Sequence, residues 1–165
     1  MPFAMRSISS SHVFSCDSDT FWKVFFDEAY GRALYLDELQ FRSFAVLEQT
    51  PTTRKMRITP KMNLPGPVEK LLGDSFAYEE QGTFDKEKNE FRWKMVPSTL
   101  KDKLFTSGTI KLEPAGEGKV KRTDSVSIEA KVFAVGGLIE QSAEKEMRAG
   151  WEKERRFLER WLTKA

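Results

Sequence analysis

From Phe41 onward, apolar and polar side chains alternate with a period of two. Phe44, Val46 and Glu48 interleave with Ala45 and Leu47; Met56, Ile58 and Met62 with Lys55, Arg57, Thr59 and Lys61; Phe91, Trp93 and Met95 with Arg92 and Lys94. Successive strand residues point to opposite faces, so each run predicts a strand with one wet and one dry face. Further strands are expected at Ser75–Phe84, Leu104–Leu112 and Val120–Phe133, punctuated by the polar turns Asp85–Glu90 and Glu113–Gly118. Loops this short make neighbouring strands antiparallel. Ahead of them, a first strand is expected near Arg6–Ser15. Asp17 or Ser18 can then cap a helix whose Phe21, Trp22, Val24, Phe25 and Phe26 crowd one broad face, and a second short helix runs to about Leu36.

Near Gly137 the period lengthens. Ile139, Ala143, Met147, Gly150, Trp151, Phe157, Leu158, Trp161 and Leu162 trace one face of a long helix. Glu144 with Arg148 and Glu152 with Arg156 stand one turn apart in the favourable order. No repeat or linker divides the chain, which predicts one α+β domain over residues 1–165. Its expected architecture is a curved antiparallel sheet of six to seven strands wrapped around the long C-terminal helix, with two short helices after the first strand. A sheet bent around one helix encloses an interior that large side chains either fill or leave hollow.

Composition narrows the function classes. With 27 basic and 25 acidic residues the charge is nearly balanced, so no strong field gathers nucleic acid, and nucleic acid is not expected as a partner. Phe91-Arg92-Trp93-Lys94 mixes rings and bases as single-strand binders do, but strand alternation already accounts for it. Cys16 is the only cysteine, which rules out an intrachain disulfide and suits a reducing, cytoplasmic setting. The serine-rich start carries no apolar run of the kind a leader or membrane span needs, so no targeting segment is expected. No phosphate loop, nucleophile elbow, dinucleotide fingerprint or metal-ligand spacing is present; no cofactor and no metal are expected.

The order strand, two short helices, six strands and long helix, with the helix entered through Phe133-Ala134-Val135-Gly136-Gly137-Leu138-Ile139-Glu140, resembles the START-like (SRPBCC, helix-grip) superfamily. That superfamily includes pollen-allergen-like lipid binders, polyketide cyclases and lipid-transfer domains. The segment from Leu64 to Gly73, with the Gly-Gly-Leu-Ile-Glu helix entry, is similar to its uncharacterised family, domain of unknown function 2505. The resemblance implies a cavity for an apolar or amphipathic small molecule, such as a lipid, fatty acid or polycyclic compound, bound for sequestration, sensing or transfer. It also leaves two rivals: a cyclase- or dehydratase-like enzyme using the same cavity, and a co-chaperone-like interaction module. An enzyme is the less favoured reading.

Strand phase selects Met56, Ile58, Met62, Tyr78, Phe91, Trp93, Met95, Ile110, Met147 and Trp151 as the expected lining, methionines being adaptable to varied apolar shapes. The same side chains could simply fill a core. Glu80 is in phase with Phe76, Tyr78 and Phe84. In a single register Arg122 and Asp124 share the face of Val126, Ile128, Ala130 and Val132, where a paired cluster would offer a head-group anchor. A run from Val120 to Phe133 is far longer than the usual strand of about six residues. That length favours a bulge, which would flip these charges outward, or else a place for them at the wet end of the sheet. His12 and Cys16 read as structural, with acid–base or thiol chemistry as the alternative. Leu64, Val68, Leu71 and Leu72, broken by Pro65 and Pro67, form either a lid able to touch a membrane transiently or a static plug.

Overall fold

A computed structural model describes residues 5–164. The chain forms β1 (Arg6–Phe14), α1 (Ser18–Phe25), α2 (Glu28–Arg32), β2 (Ser43–Gln49), β3 (Thr53–Thr59), α3 (Gly66–Leu72), β4 (Tyr78–Asp85), β5 (Glu90–Pro97), β6 (Leu104–Pro114), β7 (Val120–Ala130) and α4 (Gly136–Thr163). The seven strands form one antiparallel sheet ordered β1-β7-β6-β5-β4-β3-β2. The first strand therefore pairs with the last.

Local chemistry sets the element boundaries. The Asp17 carboxylate accepts from the Thr20 backbone N–H and Asp27 accepts from that of Ala29, satisfying amides that open α1 and α2. After α2 the backbone widens into a π-helical turn, Ala33–Glu38, and reverses just beyond it at Gln40, with φ of 56°. The expected alternation through β2 breaks at Leu47, because a bulge shifts the register between Val46 and Glu48 and leaves Leu47 exposed. Met62 lies beyond the end of β3, which stops at Thr59, so its phase with Met56 and Ile58 does not hold as strand phase.

The expected bulge in the last strand is absent. β7 pairs without interruption with both neighbours, from Arg122 opposite His12 and Leu112 to Ile128 opposite Arg6 and Thr106. It ends at Ala130 and not at Phe133, because the Glu140 carboxylate accepts the Ala130 N–H at 2.9 Å and the chain turns at Ala134 with φ of 69°. An 11-residue strand held between two partners needs no irregularity to keep its register. Val120, Arg122, Asp124, Val126, Ile128 and Ala130 consequently all face inward and are buried.

Helix α4 lies across β7 and β1 and against the π-helical turn, burying Ile139 and Leu158. The core divides. One end of the grip is packed solid by Phe14, Phe21, Trp22, Tyr30, Phe91, Ile110, Leu112 and Leu158. At the far end Val68 of α3 seats among Leu64, Leu104, Ala130, Val132, Leu138 and Ile139.

Candidate functional site

The inner face of the sheet is laid out in rows across the strands. One row runs Met56, Glu80, Met95, Thr106 and Ile128; the next runs Arg54, Gly82, Trp93, Gly108, Val126 and Ile8. Two glycines in the second row make room for rings. A Cβ on Gly82 would lie 2.0 Å from Phe91 Cζ, and one on Gly108 would lie 2.7 Å from Trp93 Cζ2. The phenyl and indole rings therefore occupy the space where a side chain would stand.

Two ion pairs stand on this surface. Arg54 donates through Nη2 to Glu80 Oε1 at 3.2 Å and through Nη1 to the Phe25 carbonyl at 3.0 Å. Its guanidinium sits 4.5 Å from the Phe25 ring centroid, and 5.3 and 5.2 Å from those of Phe26 and Phe91. Arg122 grips Asp124 with both Nε and Nη2, at 2.7 and 3.0 Å, and donates to Glu154 of α4 through Nη1 at 3.0 Å. Tyr30 donates to the same Glu154 oxygen at 3.4 Å. Burial pushes the Asp124 carboxyl up, against the pull of Arg122.

The arginines are more sealed than Glu80 and Glu154, whereas Asp124 is as buried as Arg122. Side-chain exposure is 7 % for Arg54 against 15 % for Glu80, and 7 % for Arg122 against 17 % for Glu154. Glu80 spends one oxygen on Arg54 and stays half-buried, while the buried Nε of Arg54 has no hydrogen-bond partner among the described residues. Tyr35 and Tyr78 beside Glu80 are half-buried as well. Burial foremost, and then the Glu80 charge, push both phenols well above their ordinary pKa. Trp93, Met95, Thr106, Met147 and Trp151 are likewise half-buried although they belong to the inward surface or to the helix covering it.

The expected residues fall into distinct places. Met56 and Ile58 pack with Phe44, Tyr35 and Tyr78 beside the π-helical turn; Phe91 and Ile110 are sunk in the aromatic end. Met147 and Trp151 pack with Trp93 on Ile8, Val126 and Ile128. A small cavity of about 20 Å³, room for a water molecule, lies between the N-terminal helices and the β2–β3 edge. Of the expected lining only Met56 borders it, alongside Tyr30, Tyr35, Arg54 and Glu154. An open groove of about 540 Å³ lies on the convex face over Ser7, Ser9, Ser107, Thr109, Ser125 and Ser127.

Sequence reasoning missed Arg54, Glu154, Tyr30 and Tyr35. Arg54 was within reach, two residues before Met56 and so in its phase. Glu154 follows Met147 and Trp151 at helical spacing, which also marks an inward position. The candidate acids do not converge: Glu80 on β4 and Asp124 on β7 are separated by two strands, and His12 hydrogen-bonds Ser10 at 3.1 Å. Cys16 is half-buried and its thiol pKa is raised, by burial and then by Asp17, the opposite of an activated thiol. Among the described residues no group of three His, Cys, Asp or Glu side chains converges on a metal-sized site, and no helix is long and apolar enough to cross a membrane.

A family model described as Protein of unknown function (DUF2505) matches residues 9–162. Among solved structures, the ZhuI aromatase/cyclase from Streptomyces sp. R1128 is similar at 13% identity, with 93% of this chain and 96% of that chain covered and a TM-score of 0.65. A START superfamily protein from Mycobacterium smegmatis is similar at 13% identity, covering 96% and 97%, with a TM-score of 0.61. Norcoclaurine synthase from Thalictrum flavum, in complex with dopamine and hydroxybenzaldehyde, is similar at 12% identity, covering 98% and 88%, with a TM-score of 0.68. At these identities the likeness establishes the fold. No curated protein matches the chain in sequence.

Proposed function

The chain belongs to the DUF2505 family and has the START-like helix-grip fold, and from that premise we propose that it binds an apolar or amphipathic small molecule between the sheet and α4. One observation carries this reading. Tyr78, Glu80, Trp93, Met95 and Thr106 lie on the concave face of the sheet, yet each keeps accessible surface, while Met56, Ile58 and Phe91 beside them are sealed. A filled core would seal them all. The ligand would rest on Trp93 and Met95, under Met147 and Trp151, with its polar end at Tyr35, Tyr78 and Glu80.

Solved structures of similar fold include an aromatase/cyclase and a synthase that holds dopamine and hydroxybenzaldehyde, which supports small aromatic or polycyclic guests in this kind of grip. A cyclase-like activity draws less support here, because Asp124 is committed to Arg122 and two strands separate it from Glu80. Delivery to a membrane would use the end of the grip where Leu71 is exposed and the Phe133 ring is 90% exposed.

Native mass spectrometry of the gently purified full chain, followed by solvent extraction, tests the binding reading. An apolar compound recovered at near-equimolar amount is the expected result. Recovery of none, together with no uptake of the neutral fluorophore N-phenyl-1-naphthylamine by folded protein, would defeat it.

A further inference from the structure

We infer that the cavity between the N-terminal helices and the β2–β3 edge is a site for one internal water molecule, which accepts a hydrogen bond from Arg54 Nε, and that the site rejects anions. The inference does not depend on the ligand reading above.

Arg54 is 6 % exposed, and its guanidinium keeps its charge and all five N–H donors at any ordinary pH. Nη1 donates to the Phe25 carbonyl at 3.0 Å and Nη2 to Glu80 at 3.2 Å. Nε is buried and has no hydrogen-bond partner among the described residues. A charged N–H withdrawn from solvent without a new acceptor carries the full cost of its lost hydration. Native interiors therefore supply that acceptor, either from the chain or from an internal water. Arg54 stands in the wall of a cavity of about 20 Å³, a volume that suits one water and nothing larger.

The rest of the wall decides which acceptor belongs there. Phe25, Phe26, Leu34, Phe44, Val46 and Met56 make much of it apolar. Asp27, Glu28 and Glu154 also line it, and Arg54, the one cation in the wall, already answers Glu80. An anion would gain little attraction and would meet like charge in a poorly solvated setting. Water meets no such repulsion, and its protons find acceptors in the same wall. Glu154 receives Arg122 Nη1 at 3.0 Å, Arg122 Nη2 at 3.3 Å and Tyr30 at 3.4 Å, three of the roughly four lone-pair sites that a carboxylate offers. The Tyr35 phenol, kept protonated by burial, is a second acceptor. Nε, Glu154 and Tyr35 together match the roughly two to four polar partners that an internal water requires.

A crystal structure of the full chain, solved to a resolution at which internal waters are ordered, tests this. One fully occupied water within about 3.2 Å of Arg54 Nε is expected. A dry cavity, with the Nε–H turned onto the Phe25 or Phe26 ring, overturns the inference, and so does a water that reaches only Glu154. Crystals soaked in bromide supply a second arm. No anomalous density is expected in the cavity, and bromide found there overturns the claim that the site rejects anions. In solution, the Arg54 Nε–H resonance, assigned through its own side-chain correlations, should show a rotating-frame Overhauser peak at the water frequency, opposite in sign to an exchange peak. Loss of that peak in the folded protein overturns the inference as a dry cavity would.

Discussion

Gly82→Ala is the sharpest probe of how the inner surface is built. The added methyl would sit 2.0, 2.5 and 2.8 Å from three carbons of the Phe91 ring, against an ordinary contact of about 3.5–4 Å. Phe91 must therefore withdraw by more than an ångström. It has nowhere to go: it is fully buried, with the Phe25 and Phe26 ring centroids 5.2 and 5.6 Å away and Arg54 5.2 Å above its face. Overpacking of this kind costs about 1–3 kcal/mol, and the backbone of Gly82 offers no compensating strain to relieve. For a domain of this size, that lowers Tm by about 2–4 °C per kcal/mol. Urea denaturation of the wild type, Gly82→Ala, Phe91→Leu and the double variant forms a cycle. Leucine removes the outer ring carbons that clash, so the double variant should be less destabilised than the sum of the singles. A Gly82→Ala protein as stable as the wild type, or strictly additive effects, would refute the claim that this glycine exists to seat the ring.

Arg54→Met should destabilise by about 1–3 kcal/mol in chemical denaturation, because it leaves the half-buried Glu80 carboxylate without its partner. Arg54→Met combined with Glu80→Gln should recover most of that loss. Asp124→Asn should change the pH profile of stability in a defined sense. The native carboxyl holds its proton more tightly than the unfolded one, so its contribution is full below the unfolded value of about 3.9 and declines as pH rises through the native one. Removing that declining contribution should make stability rise more steeply with pH over the acidic range, as followed by thermal melts. Asp17, whose pKa the Thr20 amide holds down, works in the opposite direction and loses its contribution as pH falls. Phe133→Ser should leave stability within about 0.5 kcal/mol, since the ring touches little. It should weaken association with phospholipid vesicles in flotation if this end of the grip meets membranes.

Much of the architecture was legible because two periodicities dominate the chain. The switch from period two at Phe91, Trp93 and Met95 to helical spacing at Met147, Trp151 and Leu158 marks sheet and helix without help from tertiary contacts. The site was legible only by phase. Phase correctly turned Arg122 and Asp124 inward, but strand length argued for a bulge that continuous pairing on both sides makes unnecessary. Where a bulge does occur, at Leu47 on the edge strand β2, nothing in the local pattern announces it. Phase also cannot say which inward residues are sealed. Phe91 and Trp93 look alike in sequence, yet the first is entombed by α1 while the second lies across Gly108 toward α4 and stays accessible. Tyr35 was out of reach for another reason: it sits in a π-helical turn, whose widened spacing defeats any helical count.

The pairing of the first strand with the seventh has a kinetic consequence. Arg6 and Glu144, joined by an ion pair, are 138 positions apart in sequence, and β1 finds its hydrogen-bonding partner only in the last strand. Closing such a loop is slow, and pairing between strands this distant in sequence delays folding. During synthesis β1 waits unpaired and the greasy side of the sheet stands uncovered until α4 has left the ribosome. Nascent chains stalled before Gly136 should therefore depend on chaperones in a way that the released protein does not.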